Sequence, residues 1–196
     1  MTKALLIVDV QNDFTEGGAL ATTGGAAVAA AITEFVQSTA GDYSLVIASR
    51  DWHDAENSNG GHFADDAPDF VETWPVHCVA DTAGAEYHPE LDVTLVDVHI
   101  EKGQGRPAYS AFEGTTRDEE TLTEILGEQG VTELDIVGIA TDYCVKASAL
   151  DAARLGLQVR VFDELTSAVA AESRATAITE MQAEGIEVVR AEPSAS

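Results

Sequence analysis

Positive charge is what this chain lacks most. Its 196 residues hold 10 Lys+Arg against 35 Asp+Glu, a formal net charge of −25, and only three of the cations are lysines: Lys3, Lys102 and Lys146. Such a chain repels phosphate backbones and anionic lipid headgroups, which argues against nucleic acid or a membrane surface as partner. The acids fall 17 in residues 1–100 and 18 in residues 101–196. They read as a solvated acidic coat, not an interaction tail, and such a coat suits high salt, as in a halophile, where screening removes self-repulsion. Cysteine is nearly absent. Cys78 and Cys144 cannot build a disulfide framework. No apolar run approaches the ~18 residues of a membrane span. The first ten residues carry Asp9 and lack a small-residue cleavage site, so the chain is expected in the cytoplasm with reduced thiols. HExxH, paired CxxC, a Walker loop and GxGxxG are all missing, which leaves dinucleotide and P-loop binding unsupported.

What is present is an alternation of short β-branched runs with Ala-rich helical stretches. With 45% hydrophobic residues the chain can bury a full core. The pattern predicts an α/β fold, an open and mainly parallel sheet with helices on both faces. Strands are expected at Ala4–Val10, Ser44–Ser49, Val93–Ile100, Leu134–Ile139, Gln158–Phe162 and Ile186–Val189, with helices at Ala26–Thr39, Glu119–Gln129, Cys144–Leu155 and Glu172–Glu184. Residues 1–190 are expected to form one domain and 191–196 a flexible C-terminal tail. The stretch from Asp51 to Pro89 has little periodicity but holds four of the five histidines and both tryptophans, so it reads as a functional loop.

In an open α/β sheet the ligand site lies beyond the carboxyl ends of the strands. Those ends carry Asp9, then Asp51-Trp52-His53, then Lys102, then Thr141-Asp142-Tyr143-Cys144. Cys144 falls where a strand passes into a helix, and the helix dipole there is expected to lower the thiol pKa and make a nucleophile. Asp9 suits a general acid/base that takes the thiol proton and returns it to a leaving group. Lys102 is a rare cation kept where these groups converge, able to hold Asp9 ionised and to stabilise a thiolate. Lys146 is the second choice and Lys3 a surface residue. Asp51 and His53, two apart in an extended segment, point the same way; with His62 and His77 they make a donor set for one divalent transition metal, Zn, Fe or Mn. His88 is a spare, His99 reads as a core histidine, Cys78 as a small buried hydrophobe, and Asp13 and Glu16 as surface acids.

The chain resembles the nicotinamidase/pyrazinamidase group of the isochorismatase-like cysteine hydrolases, from Ala4 to about Val189. The likeness rests on LLIVDVQNDFTEGGAL at 5–20, DWH at 51–53, WPVHCV at 74–79, EKG at 101–103, AYSAFEG at 108–114 and VGIATDYCV at 137–145. It implies Asp9, Lys102 and Cys144 as catalytic triad and Asp51, His53, His62 and His77 as metal ligands. It further implies a cis peptide at Ile139–Ala140, an oxyanion hole from the amides of Ala140 and Cys144, and a ring pocket lined by Phe14, Trp74 and Tyr109. The implied activity is hydrolysis of nicotinamide to nicotinate and ammonia through a cysteine thioester, and of pyrazinamide as well, within pyridine nucleotide salvage. The implied partner is therefore a small amide, with a homo-oligomer left open. Three other readings compete: hydrolysis of a different small amide or an enol ether on the same fold, a metallohydrolase with Cys144 structural, and a non-catalytic binding module.

Overall fold

A computed structural model describes residues 2–39 and 41–189. Six strands form one parallel sheet: β1 (Thr2–Val8), β2 (Leu45–Asp51), β3 (Val98–Lys102), β4 (Val131–Ile139), β5 (Gln158–Ser167) and β6 (Glu187–Val189), in the order β3-β2-β1-β4-β5-β6. The helices are α1 (Gly25–Ser38), α2 (Leu122–Glu128), α3 (Lys146–Arg154) and α4 (Ala171–Ala183). Alternate residues of β1 face opposite cores. Ala4, Leu6 and Val8 pack with α2, α3 and Met181 of α4, while Leu5 and Ile7 pack with Val28, Ala29, Ile32 and Val36 of α1. A strand covered on both sides must be apolar throughout, hence the unbroken run ALLIV.

The strand order reverses at β1. To one side the chain steps to β2 and β3, and to the other it steps to β4, β5 and β6. A crevice opens there between the carboxyl ends of β1 and β4. Gly138 sits at this junction with φ +118°, where a Cβ would lie 2.1 Å from the Val8 carbonyl oxygen, so only glycine lets the two strands close up.

Several expected boundaries move. The first strand ends at Val8, not Val10, because Asp9 takes φ +48°, a left-handed conformation that breaks the ladder. The run Val93–Ile100 divides: Asp92 caps a short turn at Val93–Leu95, and only Val98–Lys102 is strand. The helix expected from Glu119 starts at Leu122, where Thr121 and Glu124 form a reciprocal capping box. The helix expected from Cys144 starts as α-helix at Lys146, after a wider π turn over Thr141–Val145. β5 runs on to Ser167 through an irregularity beside Ile136–Gly138. The proposed tail, 191–196, lies outside the described residues.

Candidate active site

Four strand ends deliver their side chains to one buried point. Lys102, at the end of β3, is fully buried, with its Nζ 2.9 Å from Asp9 Oδ2, hydrogen-bonded to Asp51 Oδ1 and 3.8 Å from Cys144 Sγ. One ammonium thus joins two carboxylates and a thiol. Burial alone would drive Lys102 neutral, but Asp51 and Asp9 outweigh it and hold the ammonium well above its ordinary pKa. Burial pushes Asp51 up, yet Lys102, His53 and His77 pull it well below the usual carboxylate range. Asp9 has less compensation: burial raises it, Lys102 opposes and Asp51 adds to the rise.

Cys144 departs from expectation. Burial pushes its thiol pKa well up, Lys102 opposes, and Asp9 and Asp51 reinforce the rise. Cys144 does sit in the turn that leads into α3, but burial and the two facing acids outweigh that helix terminus. These surroundings favour the thiol over the thiolate, and Asp9 is the neighbouring carboxylate that can take its proton.

Beside this array stand three imidazoles. Ligand atoms of His53, His62 and His77 lie within 4.8 Å of one another. Asp51 Oδ2 is 3.6 Å from His53 Nε2 and 3.8 Å from His77 Nε2, so Asp51 offers one oxygen to Lys102 and the other to the histidines. The Gly103 carbonyl, 2.8 Å from His53 Nδ1, and the Pro75 carbonyl, 2.7 Å from His77 Nδ1, fix the outer edges of these rings. His53 Nε2 and His62 Nδ1 are buried with no hydrogen-bond partner among the described residues. Burial, His77 and His53 together lower the His62 pKa to about 3, keeping a neutral ring with a free lone pair. Unpaired buried nitrogens converging with a carboxylate fit a divalent metal, and backbone carbonyls on the far ring nitrogens are the usual support for such ligands. Gly103 is required here: a Cβ would meet His53 Cε1 at 2.5 Å.

Above both groups lies a cavity of about 240 Å³, walled by Phe14, Leu20, Trp74, Tyr109, Tyr143 and Val169, with Asp51, His62, His77, Ala140 and Cys144 also on its surface. The expected ring-pocket residues Phe14, Trp74 and Tyr109 therefore all face it. Trp74 Nε1 donates to Tyr109 Oη at 2.9 Å, and Tyr143 Oη donates to the Phe70 carbonyl at 3.2 Å, pinning the 69–74 loop to the Cys144 turn. The Ile139–Ala140 peptide is cis, and Ala140 and Cys144 flank the same turn.

Other expectations divide. His99 is exposed on β3 beside Tyr87, not in the core, because β3 is an edge strand. Lys146 pairs with Glu180 at 2.9 Å, away from the site, and Lys3 pairs with Asp135. Asp13 is half-buried and accepts from the Cys78 amide at 2.7 Å, while Glu16 is exposed and accepts from the Gly24 and Ala26 amides at the start of α1. Cys78 is fully buried. Two residues escaped the sequence reading. Gln11 brackets the Asp51 peptide, accepting from its N–H and donating to its C=O, both at 2.8 Å. Ser49 donates to Asp9 Oδ1 at 2.7 Å. Gln11 stands in the quoted VDVQNDF run and Ser49 two places before Asp51, but neither belongs to a residue type that announces chemistry.

Fold and site together define a hydrolase domain of one kind. The sequence matches the Isochorismatase domain over residues 3–193, and the chain belongs to that family. It is 46% identical over 187 residues to the nicotinamidase/pyrazinamidase of Mycobacterium tuberculosis, covering 95% of this chain and 98% of that one. The pyrazinamidase of Pyrococcus horikoshii, solved in complex with zinc, superposes with a TM-score of 0.84 at 35% identity, over 97% of this chain and 100% of that one. PnC1 from L. infantum, solved in complex with nicotinate, superposes with a TM-score of 0.82 at 29% identity, over 96% and 92%. No helix among the described residues is long and apolar enough to cross a membrane.

Proposed function

We propose that this chain is a metal-dependent nicotinamidase that hydrolyses nicotinamide to nicotinate and ammonia, and pyrazinamide likewise, through a thioester on Cys144. One observation carries the reading: Lys102 joins Asp9, Asp51 and Cys144 beneath an aromatic cavity whose surface also carries His62 and His77. The cavity suits a small flat amide. The relatives named nicotinamidase and pyrazinamidase, and the neighbour solved with nicotinate, support that substrate class.

Asp9 takes the proton of Cys144, and the sulfur attacks the carboxamide carbon. A C–S bond forms and the carbonyl oxygen becomes an oxyanion, held by the Ala140 and Cys144 amides. The C–N bond then breaks as Asp9 passes its proton to the nitrogen, and ammonia leaves. Water attacks the thioester and gives a proton to Asp9. A C–O bond forms, the C–S bond breaks, and Asp9 reprotonates the sulfur. The net change is amide plus water to acid plus ammonia. Lys102 balances the charge on Asp9 and on the sulfur throughout. Asp51, His53, His62 and His77 are the residues that would hold a divalent ion, zinc, iron or manganese. An ion held by them would supply a Lewis acid able to anchor the substrate ring. Phe14, Trp74 and Tyr109 enclose the ring and keep water from it. A cytoplasmic place in pyridine nucleotide salvage follows from this reading.

The test is turnover of nicotinamide with and without metal. Ammonia and nicotinate are expected in equal amounts. A chelator followed by desalting abolishes turnover, and added zinc, iron or manganese restores it. Full activity in protein shown by elemental analysis to be metal-free would overturn the metal requirement.

A further inference from the structure

A carboxylate has two equivalent oxygens, and a general acid/base that moves one proton back and forth works best when only one of them is used. The two oxygens of Asp9 stand in different surroundings. Oδ1 accepts the Ser49 hydroxyl at 2.7 Å, in a contact buried at both ends. Oδ2 is buried without a well-aligned hydrogen bond and lies 2.9 Å from the same Lys102 Nζ that reaches Cys144 Sγ at 3.8 Å. Ser49 also anchors the backbone here, since its carbonyl accepts from the Asp9 amide at 3.1 Å just where Asp9 takes φ +48°. β1 has ended by Asp9, so this segment leans on the neighbouring strand β2.

We infer that Ser49 is the positioning residue that fixes the Asp9 carboxylate, occupying Oδ1 so that Oδ2 alone carries the proton between Cys144 and the leaving amine. A hydroxyl donating to Oδ1 occupies one of its lone pairs, makes that oxygen a poorer base and locks the rotation of the carboxylate. Without it the group can turn, and the proton is shared between the two oxygens. Ser49 does not line the substrate cavity, and its side-chain hydrogen bond is to Asp9. Its removal therefore acts on proton transfer and leaves ring binding alone.

This inference rests on the amidase reading above, and the experiment keeps the two apart. Kinetics on nicotinamide are measured for the wild-type protein, Ser49→Ala and Ser49→Thr, each with its bound metal quantified. Ser49→Ala is expected to lose about 10- to 100-fold in kcat, at or below the lower end of the contribution of a general acid–base because Asp9 itself remains, with KM changed less than about twofold and metal content unchanged. Ser49→Thr restores the hydroxyl and is expected within about threefold of wild type. Wild-type kcat in Ser49→Ala overturns the inference and leaves the amidase reading standing. A loss in which KM rises or metal falls assigns Ser49 a merely structural part and also overturns it. Absence of turnover in the wild-type protein overturns the amidase reading itself.

Discussion

At the scale of single residues, the site is a problem in buried charge. Asp9, Asp51 and Lys102 are withdrawn from water, and the arrangement is stable because one ammonium faces both carboxylates. Breaking such a group by removing one partner leaves uncompensated buried charge and costs about 3–5 kcal/mol. Lys102→Met keeps the length and loses the cation, so it is expected to destabilise the fold by about that amount in chemical denaturation and to abolish amide turnover. A variant as stable and active as the parent would show that Lys102 balances nothing. Asp9, Lys102 and Cys144 were legible because each ends a strand and each is chemically out of place there. The thiol pKa was not. Its direction depends on burial and on two acids brought in from β1 and β2, and no local sequence records either. Gln11 and Ser49 were equally hidden, since one buried hydrogen bond leaves no periodicity to read.

At the scale of elements, the alternation of β-branched and Ala-rich segments was enough to place six strands and four helices in order, because strands buried on both faces must be continuously apolar. The ends were less legible. The first strand stops at Asp9 for a backbone reason, and the Val93–Ile100 run divides because Asp92 finds a cap in the Thr94 amide. The long loop after β2 was readable as functional from its histidines and tryptophans, but its closure onto the Cys144 turn through Tyr143 and Phe70 was not. The tightest joint is between β1 and β4. Gly138→Ala places a Cβ against the Val8 carbonyl at a positive φ. The expected cost is at least about 2 kcal/mol, or roughly 4–8 °C in melting temperature for a chain of this size. Calorimetry showing an unchanged melting temperature would mean that the strands part without penalty.

At the scale of the whole molecule, the scarcity of cations shapes both surface and site. Each of the three lysines is engaged in an ion pair, Lys3 with Asp135, Lys102 with Asp9 and Asp51, and Lys146 with Glu180. With 35 acids and 10 basic residues, most carboxylates among the described residues have no Lys or Arg partner. Their mutual repulsion is long-ranged in dilute salt, where the screening length is about 10 Å at ~0.1 M, and falls to about 3 Å at ~1 M. The melting temperature is therefore expected to rise as KCl is raised from about 0.1 M to about 2 M. A flat or falling curve would leave the acidic coat without that role. The same charge favours the proposed reaction in one respect: a neutral amide approaches unhindered, while the anionic product is repelled.

All three scales meet at one sulfur. The most direct measurement is ammonia release from nicotinamide by the wild-type protein and by Cys144→Ala, at matched metal content. A thioester route predicts steady release by the wild-type protein and a loss of at least about a thousandfold in the variant. Cys144→Ala releasing ammonia at the wild-type rate would contradict the account, since the carbon–sulfur bond on which it turns could not then have formed.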